Sequence, residues 1–217
     1  MLELYGHPFS SYTWKALIPL YELELDFAFR HLPEDGSGAD WEFVREAHPG
    51  GKFPVLRDGE TIVVEATAIV EYLSLYHDKA ETLIPGQPEL ARQTRMLDRV
   101  FDNYVMHNMT RVVMAFIASA DDPDMAEIEA AKADLIKAYR WLERWLESFT
   151  LPPGVSLVSC AAAPALFYAD WVAPIPADCP GLRNLRRDLL ALPSVARCVE
   201  DARPYRHFFP PGAPDRD

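Results

Sequence analysis

The residues best suited to chemistry lie in the first third of the chain, and the central stretch is Gly51-Lys52-Phe53-Pro54-Val55-Leu56. Asp58-Gly59 follows, and then Glu65-Ala66-Thr67-Ala68-Ile69 opens an apolar-periodic run. A proline between two short apolar runs, with a turn pair just after, reads as a loop entering a β-hairpin. With a cis bond before Pro54, the bend leaves the N–H and C=O of Phe53 unpaired and facing outward, where an extended peptide can add as a strand. Glu65 places a carboxylate at the first turn of a helix whose free N–H groups attract a negative ligand. The two devices together suit a small zwitterionic peptide. Upstream, Ser10 and Ser11 follow Tyr5-Gly6-His7-Pro8-Phe9, and either hydroxyl can serve as a helix N-cap.

The elements that hold these residues follow from periodicity. Residues 2–5 alternate apolar and polar, as a short strand does, and Trp14, Leu17, Ile18 and Tyr21 recur at helical spacing. Pro19 inside that run is expected to kink it or displace its last turn. Residues 26–31 read as a second strand, 41–47 as a short irregular helix, 55–57 and 61–64 as a hairpin, and 65–77 as a third helix. The resulting β-α-β-α-β-β-α order gives a mixed four-stranded sheet with helices on its faces. The predicted organisation is an N-terminal α/β domain over 1–78, a linker over 79–88 carrying Pro85, Gly86 and Pro88, and an all-α helical bundle over 89–217.

In the helical part, Leu97, Val100, Phe101, Tyr104 and Val105 predict one inward stripe on a long helix over 90–117. Leu135, Tyr139, Leu142 and Leu146 predict a second over 124–149. Residues 157–172 are apolar nearly all round and read as the buried central helix, with a kink at Pro164. Short helices over 182–190 and 194–202 precede a proline-rich tail anchored by Phe208 and Phe209.

Composition bounds the function. The chain has 217 residues, 49% of them apolar, and a formal net charge of −12, which disfavours nucleic acid and anionic membranes as partners. Arg183, Arg186 and Arg187 cluster, but Asp188 follows, and the plain reading is a solvated helix face. No run reaches about 18 uninterrupted apolar residues and the N-terminus lacks a signal pattern, so the expected location is cytoplasmic. Cys160, Cys179 and Cys198 lack metal or disulfide spacing and read as reduced structural thiols. The six histidines are never paired at helical metal-ligand spacing, so no metal is expected.

Taken in order, Tyr5-Gly6-His7-Pro8-Phe9-Ser10, Gly51 to Leu56, the run Glu65 to Leu73 and the helical remainder resemble a cytosolic glutathione transferase, of the bacterial, serine-type kind. The resemblance covers almost the whole chain. It implies a thioredoxin-like N-terminal domain that binds glutathione, a helical domain that shapes the pocket for a small hydrophobic electrophile, and a homodimer. It implies that Phe53, ahead of a cis Pro54, bonds the cysteinyl backbone of glutathione. Glu65 takes the γ-glutamyl ammonium, and Lys52 lies near the glycyl carboxylate, with Trp41 a weaker candidate there. Family members usually carry serine after that glutamate, whereas here the position is Ala66. The backbone N–H of Ala66 and the adjacent Thr67 remain, and an uncompensated loss weakens affinity by about 1.5 to 3 kcal/mol. A second departure is Ser159, where the central helix usually has the aspartate of a capping box.

Ser10 matches the thiolate-binding serine of that kind, with Ser11 as the register rival and Tyr5 as the donor in tyrosine-type members. The bare sequence favours Ser10 as an N-cap alone. No cysteine precedes Cys160, which counts against the cysteine-type thiol transferases. The implied activity is transfer of glutathione to an electrophile, with isomerase or peroxidase chemistry, or a non-catalytic binding protein, as alternatives. Tyr104, His107 and Arg111 are candidates for the electrophile pocket, although core packing or exposure is the plainer reading. The same holds for Asp98 and Asp102 as residues reaching across a dimer to the partner's glutathione.

Overall fold

The computed structural model describes residues 1–78, 82–149, 151–152 and 154–217. Strands β1 (Leu2–Gly6), β2 (Phe27–His31), β3 (Val55–Asp58) and β4 (Thr61–Val64) form one sheet in the order β2-β1-β3-β4. β1 runs parallel to β2, with Leu4 opposite Phe29, and antiparallel to β3, with Leu4 opposite Leu56. The alternation of side chains along β1 feeds two cores. Leu2 and Leu4 join Leu56, Trp14 and Ile69 on the face covered by α1 (Ser11–Glu22) and α3 (Ala66–Tyr76). Tyr5 joins Val55 and Val44 on the face covered by α2 (Ala39–Ala47). This is a thioredoxin-like domain with a mixed four-stranded sheet.

Gly6 ends β1 where the chain passes closest to α1: a Cβ there would lie 2.7 Å from the Thr13 side chain. Pro19 does not displace the last turn of α1, which continues to Glu22. Residues Thr13 to Leu20 are all buried, and that packing offsets a backbone penalty of about 3 kcal/mol.

The remainder is helical. The long helix expected over 90–117 is three segments: α4 (Pro88–Val100), a π-helical turn (Phe101–Met106) and α5 (His107–Ala118). The wider turn shifts the phase of the stripe, so Phe101 and Val105 point inward while Tyr104, expected in the stripe, is 59% exposed. α6 (Met125–Leu146) starts at Asp124, whose carboxylate accepts the Glu127 N–H at 3.0 Å. α7 (Leu157–Val172) is buried from Leu157 to Trp171 and runs through Pro164. Ser159 does reach back at its start, its Oγ accepting the Ser156 N–H at 3.3 Å. α8 (Pro180–Leu190) and α9 (Pro193–Ala202) follow, and a 3-10 helix (Arg203–Phe208) replaces the first part of the expected tail. Phe209 anchors that tail at 5% exposure, whereas Phe208 stays 44% exposed.

Of the expected linker, Lys79 to Glu81 lie outside the described residues. Beyond them Leu83 is buried, and its carbonyl accepts the Leu157 N–H at 2.8 Å, tying this stretch to the central helix. The three cysteines are buried and unpaired.

Candidate functional site

The loop from β1 into α1 turns at His7 and Pro8 and delivers Ser10 as the N-cap of α1. Its Oγ accepts the Thr13 N–H at 3.3 Å. Capping uses a lone pair, so the hydroxyl keeps its proton for a second partner. Ser10, Ser11 and Tyr12 line a cavity of about 470 Å³ together with Phe53, with Met109 and Met114 of α5, and with Phe208 and Phe209. No charged side chain lines it among the described residues. Tyr5 lies in the core between the sheet and α2, its ring 4.4 Å from Phe43, and burial pushes its phenol above the ordinary value. The cavity wall thus includes Ser10 and its rival Ser11 but not Tyr5.

Tyr12 escaped the sequence reading, which looked for hydroxyls only at the start of the helix. Burial first, and Asp102 second, push its phenol up to about 12, so it stays protonated at neutral pH.

Across the cleft the Phe53-Pro54 bond is cis. Among the described residues no backbone hydrogen bond engages the N–H or C=O of Phe53. The loop before it is held by His48, a residue the sequence reading passed over. His48 Nδ1 accepts the Gly50 N–H at 2.9 Å, its Nε2 lies 3.4 Å from Glu65 Oε1, and its carbonyl accepts the Gly51 N–H at 2.8 Å. Lys52 is exposed. Trp41 donates its indole N–H to the Pro33 carbonyl at 2.7 Å and packs edge-on against Phe53, so its polar atom is already engaged.

Glu65 precedes α3 with φ +70°, a value rare for a residue with a side chain, and its carboxylate is 76% exposed. No side chain caps α3, which leaves its first N–H groups open to a ligand. Ala66 is buried. Thr67 is committed elsewhere: its Oγ1 accepts Lys15 Nζ at 2.8 Å and also contacts the Arg99 guanidinium. Lys15, 1% exposed, lies 2.5 Å from Asp98 Oδ1 and 2.7 Å from Asp102 Oδ2. Asp98 and Asp102 are therefore engaged within their own chain.

Residues 4–80 match the family model described as glutathione S-transferase, N-terminal domain. Over these residues the chain is similar to the N-terminal domain of glutathione S-transferases. A glutathione S-transferase of Arabidopsis thaliana is 36% identical over 93 residues, which is 42% of this chain and 44% of that protein. The match thus spans less than half the length of this relative. A probable maleylacetoacetate isomerase of Vibrio cholerae is 26% identical over 211 residues, 94% of this chain and 97% of that protein. The crystal structure of a glutathione transferase from Populus trichocarpa superimposes with a TM-score of 0.80 at 20% identity, covering 93% of this chain and 99% of that one. Beyond residue 80 the likeness to that structure is one of fold.

One cluster beside the cleft was not legible in the sequence. The fold brings together His7, His31 and Glu34, whose ligand atoms lie within 4.8 Å of one another. His7 Nδ1 accepts the Phe9 N–H at 3.1 Å, so the neutral ring carries its proton on Nε2, 3.3 Å from Glu34 Oε1. A metal at Nε2 would force that proton onto Nδ1, against the Phe9 N–H, so the arrangement suits a hydrogen bond and not a cation. Tyr104 and His107 line a different cavity, of about 750 Å³, beside Trp141. Arg111 is spoken for by Glu127 at 2.6 Å and Asp134 at 3.0 Å. None of the three lines the Ser10 cavity among the described residues.

Proposed function

We propose that the chain is a cytoplasmic, homodimeric glutathione transferase of the serine type that joins the glutathione thiolate to a small hydrophobic electrophile. Its glutathione-binding domain spans 1–78 and its helical domain 89–217. The observation that carries this reading is the Ser10 hydroxyl: its proton is free of the capping bond, and it shares a cavity with Phe53 from which Tyr5 is excluded.

In this mechanism the N–H and C=O of Phe53 pair with the cysteinyl backbone of the tripeptide, and Pro54 holds that turn. Glu65 pairs with the γ-glutamyl ammonium, the first N–H groups of α3 at Ala66 and Thr67 face the γ-glutamyl carboxylate, and Lys52 faces the glycyl carboxylate. A free thiol with a pKa near 8.5 is only a few per cent thiolate at pH 7. Donation from Ser10 favours the anion, and each unit of lowered pKa corresponds to about 1.4 kcal/mol. The thiolate then forms a carbon–sulfur bond to an electrophile held in the apolar cavity, either by conjugate addition, in which the π bond breaks and the new carbanion takes a proton from solvent, or by substitution, in which the leaving group departs with its electron pair. Proximity and a ready nucleophile supply most of the rate.

The end-to-end match to an isomerase favours a second reading, glutathione-dependent isomerisation, in which the same thiolate adds and departs again. The uncharged lining suits a neutral electrophile better than a carboxylate-bearing substrate. An electrophile screen beside maleylacetoacetate separates the two.

Calorimetry with glutathione and thiolate absorbance in the near ultraviolet test the proposal. Binding is expected, with a thiolate band that vanishes in Ser10→Ala, survives in Ser10→Thr and persists in Tyr5→Phe. Absence of binding at millimolar glutathione removes both enzymatic readings, and loss of the band in Tyr5→Phe alone moves the donor to Tyr5.

A further inference from the structure

Arg183, Arg186 and Arg187 read in sequence as one solvated face, but the fold separates them. Arg187 stays outside, 2.8 Å from Asp188. Arg186 turns inward. Its side chain is 14% exposed, its Nε donates to the Leu166 carbonyl at 3.3 Å, and its Nη2 is buried with no hydrogen-bond partner, 3.7 Å from Asp170 Oδ2. Arg183 directs Nε and Nη2 at the Ile175 carbonyl, at 2.9 and 2.7 Å. Arg216, from the tail, bonds the Asp170 carboxylate and, through Nη2, the Asp170 carbonyl at 2.8 Å.

These three guanidinium groups line one cavity of about 350 Å³ with Asp170, Pro174 and Ile175. Three cations face one carboxylate, and that carboxylate is already used: Oδ1 accepts the Ile175 N–H at 2.8 Å and Oδ2 meets Arg216. A desolvated cation short of partners costs free energy until an anion or water completes it. Burial pulls the Arg186 guanidinium below its ordinary pKa against the opposing charge of Asp170, with Arg216 a smaller influence in the same direction as burial.

We propose that this cavity binds a small oxyanion, a phosphate, sulfate or carboxylate group, between Arg183, Arg186 and Arg216. The planar donor fork of arginine matches such groups in geometry, and the ligand supplies the negative charge that Asp170 alone does not. The group can be a free inorganic ion or the anionic end of an organic acid. The site stands apart from the glutathione cleft and does not depend on it.

The test is calorimetry on the full chain with inorganic phosphate, sulfate and succinate, against chloride at matched ionic strength. Saturable binding below about 10 mM is expected, with Arg216→Gln and Arg183→Gln each weakening it by about tenfold, or 1.4 kcal/mol, and glutathione affinity unchanged in both. Phosphate binding identifies an inorganic-type oxyanion, and succinate binding with no phosphate binding identifies an organic acid. Arg186→Gln alters a largely buried group and can perturb folding, so the two more exposed arginines carry the decision. No saturable response to any of the three ions, or an affinity indifferent to both substitutions, overturns the proposal.

Discussion

Ala66 opens α3 without a hydroxyl, and the neighbouring Thr67 does not replace it because its Oγ1 is held by Lys15 and Arg99. In the proposed binding mode, recognition of the γ-glutamyl carboxylate then falls to backbone N–H groups alone. Restoring the hydroxyl with Ala66→Ser adds a bond to a charged group, worth about 1.5 kcal/mol or more. The dissociation constant for glutathione is expected to fall by about tenfold in calorimetry. An unchanged constant would mean that the carboxylate does not sit at the start of α3. Such residues could be named as candidates from sequence because the signal is local: Pro54 with its flanking apolar runs, Glu65 before a periodic run, Ser10 after Gly-His-Pro. His48 was not, since its contact with Glu65 spans 17 positions and exists only once the loop and α3 meet.

At the scale of elements, the site is framed by two loops built alike, His7-Pro8-Phe9 and His48-Pro49-Gly50. In each, the imidazole Nδ1 accepts the N–H two residues on and Nε2 faces a glutamate, Glu34 or Glu65. The recurrence of His-Pro was visible in sequence, but its meaning was not, because the two glutamates are distant. The device has a pH signature at His7, where burial is the largest influence and lowers the pKa below 6.5. Between that lowered value and 6.5 the unfolded chain binds more protons than the folded one, so stability rises with pH through this window. The contribution is complete above about 6.5 and is lost as pH falls below it. Glu34 is also lowered, from 4.5, and so acts in a more acidic range. The melting temperature is expected to drop more steeply from about pH 7.5 to 5.5 in the native chain than in His7→Asn, which retains an acceptor for the Phe9 N–H. Parallel slopes would exonerate His7. The same scale explains the missed π-helical turn: a period of apolar residues predicts a helix, but one inserted residue in a turn leaves no mark on composition.

Across the whole molecule, the order of elements and the two-part organisation followed from periodicity, while the joint between the parts did not. That joint is a charge cluster: buried Lys15 of α1, Asp98 of α4 and Asp102 of the π-helical turn, with Thr67 of α3 beside them and the half-exposed Arg99 pairing with both carboxylates. Sequence gives no means of pairing residues 83 or more positions apart, and charged residues are rarely fully buried. The π-helical turn matters here because it carries Asp102 inward toward Lys15, so an irregularity in one helix serves the contact between two regions. Removing Lys15 leaves the two buried carboxylates to Arg99 alone, whose side chain is 48% exposed, at a cost of about 3 kcal/mol, the lower end for a broken buried pair. Lys15→Met is therefore expected to lower the unfolding free energy by that amount in urea. Because Thr67 loses one of its two donors at the first turn of α3, glutathione affinity should fall as well. The triple variant Lys15→Met, Asp98→Asn, Asp102→Asn removes the buried carboxylates and leaves the half-exposed Arg99 to solvent, so it should recover part of the stability, which a simple loss of side-chain packing would not allow. If Lys15→Met instead unfolds within about 0.5 kcal/mol of the native chain, the two regions are joined by apolar packing of α1 against α7 and α9 and the charges are incidental.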